Sequence, residues 1–238
     1  MRSFLYLLLL LLTGCSASYE VQNKGVAGNN SVDLLRRVDT AVVARQPDLV
    51  LLLLGTNDMM NSKKLIPLDS FMQNYRELVQ RIQTTGAKLV LLSIPPVDTG
   101  YIFQRHPRNA FEVDPNEKIR LANKSIQQLT MSNPGLYFFD LYELFAKGGS
   151  PNRTRESLLV NEQNLGKPDG VHPTRDGYAK MAESLYAYLI EKKLLKKNRK
   201  LICFGDSITF GAFMEGAGTT EGDSYPAQLK RLLNSGLR

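Results

Sequence analysis

Cysteine and histidine are scarce: the 238 residues hold two of each. Cys15 lies near the N-terminus and Cys203 inside an apolar run, so the disulfide framework of a small exported domain is excluded. Cys203 reads as a small buried hydrophobe. His106 and His172 have no cysteine cluster beside them, which leaves no ligand set for a structural or catalytic zinc. Nothing in the chain calls for another metal or a cofactor. Internal repeats and low-complexity tracts are also missing. What remains is a globular composition, 43% apolar and 22% charged, neither disordered nor wholly membrane-embedded. The formal charge of +7 is mostly dispersed, with one dense run, EKKLLKKNRK at 191–200. No aromatic-interleaved basic motif or binding module accompanies it, so nucleic acid is not an expected partner.

The first 15 residues, MRSFLYLLLLLLTGC, read as a targeting segment outside the fold. Arg2 supplies a small positive region, and Phe4–Leu12 is an apolar core too short to span a bilayer comfortably. Leu12-Thr13-Gly14-Cys15 resembles a lipobox, whose cysteine becomes acylated; an ordinary secretory signal is the alternative. Either way the protein is expected to be exported, to the bacterial envelope or periplasm. Its contact with a membrane would then run only through a lipid on Cys15.

The remainder, 19–238, reads as one α/β domain. Tyr19–Asn23 is a short strand leading into the loop KGVAGNNS. Val32–Arg45 has the apolar spacing of a helix, with Ser31 as its expected cap. Leu49–Gly55 and Lys88–Pro96 are continuous apolar runs, the pattern of strands buried on both faces. Helices are expected over Leu68–Thr84, Asn116–Met131, Thr174–Leu195 and Tyr225–Asn234, and strands over Leu136–Tyr142 and Lys200–Phe204. The stretch after Pro96 reads as irregular and 143–168 as mostly loop. Strands alternating with helices imply a mostly parallel sheet covered on both faces. Ligands of such sheets sit beyond the carboxyl ends of the strands.

That rule singles out four segments. The loop after Phe204 is GDSITFG, where a serine just past a buried strand would expose its hydroxyl. In KGVAGNNS, after Asn23, glycine lets a backbone N–H approach a ligand closely. GTNDMM, after Leu54, offers the neutral amide of Asn57. DGVHPT precedes the long helix at 174 and spaces Asp169 three residues before His172, so the carboxylate can fold back and fix the imidazole tautomer. Together they supply the parts of acyl transfer: a hydroxyl, a base to activate it, and fixed donors for the developing oxyanion. Taken singly, each has a plain reading as well. Ser207 could be a turn serine, Asp169 and His172 a helix-capping pair, Gly28 a turn glycine and Asn57 a loop cap. Asp206 and Asp58 are assigned to loop hydrogen bonding. A second Gly-Asp-Ser, at 222–224, follows no strand and precedes YPAQLKRLL; there Asp223 or Ser224 is expected to cap a helix.

The four blocks resemble those of the SGNH, or GDSL-type, hydrolases. The resemblance covers essentially the whole chain after the signal. It implies a three-layer α/β/α sandwich with a flavodoxin-like parallel sheet. It further implies Ser207 as nucleophile, His172 as base oriented by Asp169, and an oxyanion hole from the Ser207 and Gly28 N–H groups and Asn57. In the family, the region holding Arg105 and His106 helps shape the substrate pocket, which makes both candidate substrate contacts. The implied activity is carboxylic-ester hydrolysis through an acyl-enzyme, on small acyl groups such as acetyl, in an envelope setting on acylated carbohydrate. Lysophospholipid or thioester hydrolysis, or a non-catalytic glycan-binding lipoprotein, are the alternatives. One departure stands out: the GDS block, first in the family, comes last here. Placing 199–238 ahead of Tyr19 restores the family order, so a circular permutation is expected, with Lys200–Phe204 lying inside the sheet beside Tyr19–Asn23.

Overall fold

Apolar runs without polar alternation need a sheet covered on both faces, because each side chain direction must meet protein. The computed structural model of the protein describes residues 18–131, 133–195 and 199–235. In chain order the elements are β1 Glu20–Gly25, α1 Ser31–Ala41, β2 Leu49–Leu53, α2 Thr56–Met60, α3 Leu68–Gln83, β3 Lys88–Leu92 and α4 Thr99–Arg105. There follow α5 Pro115–Met131, β4 Leu136–Phe139, α6 Leu141–Lys147, α7 Glu162–Leu165, α8 Arg175–Glu191, β5 Lys200–Gly205, α9 Ser207–Phe210 and α10 Tyr225–Ser235. The five strands form one parallel sheet ordered β1-β5-β2-β3-β4.

The strand side chains alternate between two cores. Val50, Leu52, Leu89, Leu91, Ile202 and Phe204 pack with Leu34 and Val38 of α1, Phe71 and Tyr75 of α3 and Ile119 of α5. Leu49, Leu51, Val90, Leu201 and Cys203 face the other way, onto Phe145 of α6, Tyr178 and Leu185 of α8 and Tyr225 and Leu229 of α10. Burying a Leu or Val side chain fully contributes about 1.5–3 kcal/mol, and both layers hold many such residues. Burial pushes the Cys203 thiol far up, which suits the inert role expected of it.

β5 is the last strand in the chain yet lies in the sheet interior, with Glu20–Gly25 registered on Lys200–Gly205 along one side and Leu49–Leu53 on Leu201–Gly205 along the other. Counting β5 first, the order reads 2-1-3-4-5, that of flavodoxin-like sheets. The end of α10 lies against the start of β1: the Tyr19 N–H donates to Asn234 Oδ1 at 2.9 Å, and Asn234 Nδ2 donates to the Tyr19 carbonyl at 3.4 Å.

Several local expectations need correction. Asn30, not Ser31, caps α1; its side chain accepts from the Asp33 N–H while Asp33 accepts from the Asn30 N–H, a reciprocal box. The Leu136–Tyr142 run does not stay extended, because the Asp140 side chain accepts the Glu143 N–H and starts α6 there. The stretch after Pro96 is likewise ordered: Asp98 caps α4 through the Tyr101 N–H at 3.1 Å and is gripped by Arg153 Nε at 2.7 Å. Helix α8 begins after its cap Thr174 and ends at Glu191, short of Leu195. Ser224 stands before α10, and its carbonyl accepts the Gln228 N–H, but its buried hydroxyl caps nothing.

Candidate active site

The carboxyl ends of β1, β2 and β5 open on one edge of the sheet, and the singled-out loops meet there. β5 runs through Gly205, where a Cβ would collide with the Leu53 carbonyl and the Thr209 side chain, into the short helix α9. Asp206 turns the chain, accepting the Ile208 N–H at 2.9 Å, and Ser207 becomes the first residue of the helix. On the other side of the cleft, a short antiparallel bridge between Leu159 and Pro173 presents Asp169 and His172. His172 Nε2 lies 2.9 Å from Ser207 Oγ. Its Nδ1 is 3.0 Å from both oxygens of Asp169. Asp169 Oδ2 also accepts the backbone N–H groups of Val171, at 2.9 Å, and His172, at 2.7 Å. The carboxylate is therefore locked in place by the same segment it orients.

Electrostatics favours one protonation pattern. Burial pushes Asp169 up, but the His172 ring and the two N–H donors outweigh it and hold the carboxyl below its ordinary range. An ionised Asp169 keeps the proton on Nδ1 and leaves Nε2 able to accept one from the serine. Asp206 behaves oppositely: burial pushes it up to about 6. Asp58, also buried, is pushed up to about 6 despite three hydrogen bonds from Ser31, including 2.5 Å from its hydroxyl. Asp206 thus hydrogen-bonds within its own turn, as expected, whereas Asp58 lies on α2 and bonds the start of another helix rather than a loop. Asp58 pins the first residue of α1 and, with it, the glycine loop.

Gly28, Asn57, Ser207, Asp169 and His172 line one cleft of about 530 Å³. Gly28 lines the cleft with φ +77°, a conformation glycine adopts freely, and with open space where a Cβ would stand. Asn57 Nδ2 donates to the Asn29 carbonyl at 2.9 Å, which ties the amide to the glycine loop and leaves its second hydrogen for a ligand. Arg105 and His106 reach the same cleft. Arg105 donates to the Pro168 and Asp169 carbonyls, at 2.5 and 2.7 Å, bracing the loop that carries Asp169. His106 Nδ1 is 2.9 Å from Ser62 Oγ; burial, then Arg105 and Lys63, push its titration down. Cys15 lies outside the described residues.

Three contributors carry no signal in the sequence. Arg37 of α1 donates to the Lys24 and Gly205 carbonyls and to Asn29, coupling the glycine loop to the end of β5, and lies 4.6 Å over the Phe204 ring. Phe213 stands edge-on to the His172 ring, centroids 5.1 Å apart. Lys167 Nζ lies 5.4 Å from the Phe213 ring centre.

A strand-end serine with an oriented imidazole on a doubly covered parallel sheet defines a hydrolase class, and similarity to known proteins narrows it. The model of the GDSL-like lipase/acylhydrolase family matches residues 12–180, well over half of the chain. The chain belongs to that family and is a carboxylic-ester hydrolase. The matched stretch contains Gly28, Asn57, Asp169 and His172 and stops before Ser207. An uncharacterized lipoprotein of Bacillus subtilis, YqeF, is 23% identical over 180 residues, 71% of this chain and 72% of that protein. A GDSL-like lipase from Bacteroides thetaiotaomicron shares the fold at a TM-score of 0.53 and 24% identity, over 71% of this chain and 75% of that one. A catalytic variant of Axe2, an acetylxylan esterase from Geobacillus stearothermophilus, does so at 0.53 and 20%, over 71% and 69%.

Proposed function

We propose that Ser207 is the nucleophile of an esterase acting on small acyl esters, acetyl foremost, of carbohydrate alcohols. The observation that carries this reading is the continuous path Asp169–His172–Ser207, which joins the block before α8 to the serine after β5. In the first half-reaction Ser207 Oγ attacks the ester carbonyl carbon as its proton passes to His172 Nε2. The carbonyl oxygen becomes an oxyanion facing the Gly28 and Ser207 N–H groups and the Asn57 amide. Collapse breaks the bond to the alcohol, which leaves with the proton from His172, and the acyl group stays on Ser207. Water then attacks the acyl-enzyme, giving its proton to His172; the acid departs and the proton returns to Ser207. Ser207 is buried while Gly28, Lys167 and Phe213 around the same cleft are exposed, and acetylxylan esterases share the fold, which supports a small acyl group on a large alcohol. A fluorophosphonate probe followed by peptide mapping tests the assignment. The adduct should fall on Ser207; an adduct on Ser224, or none, would overturn it.

Residues 19–238 are proposed to form one domain whose opening unit, 199–238, has been moved to the end of the chain. The 2-1-3-4-5 order on counting β5 first, the Tyr19–Asn234 contacts and a family match that ends before Ser207 support this circular permutation. A chain relinked with 199–238 ahead of Tyr19 should fold and hydrolyse the same ester; an inactive, unfolded product would contradict it. Export as an envelope lipoprotein acylated on Cys15 is supported by the leader and by the relative named as a lipoprotein. No helix among the described residues is long and apolar enough to cross a membrane.

A further inference from the structure

Phe213 has φ +69°, in the left-handed region that a bulky side chain seldom adopts. Gln46 and Lys193 share that sign of φ, but each closes a helical turn, where the conformation is common. Phe213 lies instead in the short turn after α9 that the Met214 N–H closes on the Gly211 carbonyl at 3.0 Å, with its ring edge-on against His172 and 47% of the residue still accessible. Strained residues persist where surrounding structure holds them, and they gather at functional sites.

The side of the cleft on which this ring stands has a definite chemical meaning. The acyl oxygen faces Gly28 and Asn57. The departing alcohol must receive its proton from His172 Nε2, so it occupies the side of the imidazole, where Phe213 and Lys167 stand. Charge on this side has one sign. Among the described residues, the carboxylate lining the cleft is Asp169, already engaged by His172 and two backbone N–H groups. Arg105 spends its hydrogen bonds on carbonyl oxygens, which leave its charge uncompensated. Lys167 is exposed, and its ammonium lies over the face of Phe213.

We propose that Phe213 and Lys167 form the subsite for the alcohol half of the substrate, and that this alcohol carries an anionic group, carboxylate or phosphate, with an apolar face laid on the Phe213 ring. This subsite rests on the hydrolase reading above and narrows its substrate to an acylated acidic alcohol. Arg105 adds long-range attraction for the anion, while Lys167 is positioned to pair with it directly.

The test compares hydrolysis of para-acetoxybenzoate, para-acetoxyphenyl phosphate and the neutral para-acetoxybenzamide by the wild-type protein, Lys167→Gln, Lys167→Glu and Ser207→Ala. The measured quantity is kcat/KM for each anionic ester divided by that for the amide, so differences in intrinsic reactivity cancel between proteins. Lys167→Gln should lower at least one ratio about tenfold, the low end of what a charge-assisted hydrogen bond contributes, and Lys167→Glu should lower it further. In the wild type the same ratio should fall as salt is raised to about 0.5 M, where charges are screened within a few ångströms. The ester with the larger loss assigns the anion as carboxylate or phosphate. Ratios unmoved by both Lys167 substitutions, in a protein whose turnover depends on Ser207, would overturn the subsite alone. Absence of Ser207-dependent turnover on all three esters would overturn the hydrolase reading and the subsite together.

Discussion

Replacing Asp169 by Asn changes one atom of the proposed relay and leaves its shape intact, which makes the expected effect calculable. Asp169 Oδ2 accepts two backbone N–H groups at 2.9 and 2.7 Å, and both oxygens reach His172 Nδ1 at 3.0 Å. An asparagine keeps its carbonyl oxygen on the two backbone donors, since turning the NH₂ group there would set donors against donors. The NH₂ group then faces His172 Nδ1, which must accept instead of donate. The ring proton moves to Nε2, where it points at Ser207 Oγ 2.9 Å away and prevents that nitrogen from acting as a base. Losing both the correct tautomer and the counter-charge for the imidazolium should lower kcat/KM about 10³–10⁴-fold, equivalent to about 4–5.5 kcal/mol of transition-state stabilisation. Stability should fall by only about 1 kcal/mol, because the backbone hydrogen bonds survive. Initial rates with p-nitrophenyl acetate, together with thermal melts of both proteins, check this. A loss in kcat/KM below tenfold with an intact fold would refute the relay.

Asn57→Ala removes one proposed oxyanion donor and should lower kcat by about 10²–10³-fold, or about 2.7–4 kcal/mol, as read by steady-state kinetics; a change below tenfold would remove Asn57 from the hole. Asp58 is expected to make stability pH-dependent. With its carboxyl raised to about 6 by burial, the folded protein holds a proton that the unfolded chain releases nearer 4. The contribution is full below about pH 4 and is lost as pH rises through 6, up to about 3 kcal/mol. Asp58→Asn should therefore be most destabilised relative to wild type near pH 4, with the gap narrowing toward pH 8 in urea titrations; a constant gap would contradict the shift. At Phe213, the Gly variant should exceed the Ala variant in stability by about 0.5–1 kcal/mol, the left-handed penalty less glycine's extra freedom when unfolded. Equal stabilities in the same titrations would mean that the backbone there is relaxed.

Much of the fold was legible where one physical signal dominates. Leu49–Leu53 and Lys200–Gly205 are strands because uninterrupted apolar residues can be satisfied only in a sheet interior. The failures came where a single side chain overrides a pattern. Asp140 interrupts the aromatic run after Leu136 and starts a helix. Asp98 does the same in a stretch whose prolines and mixed composition hide any periodicity. The relay was legible for another reason: Ser207 lies just past a strand end, and Asp169 and His172 sit three residues apart in one short block before α8, where local spacing already restricts what they can touch. Phe213, Lys167 and Arg37 gave no such sign. Their positions depend on a backbone torsion, a ring orientation and a contact across 168 residues of chain. None of these has a counterpart in residue order.

Ser207, placed at the end of a strand drawn from the C-terminal part of the chain, is proposed to perform the chemistry. Hydrolysis of p-nitrophenyl acetate by the wild-type protein and by Ser207→Ala, at equal concentration and with matched melting curves, tests it most directly. The wild type should turn over well above the spontaneous reaction, and the variant should stay at that background. Equal rates from the two folded proteins would contradict it.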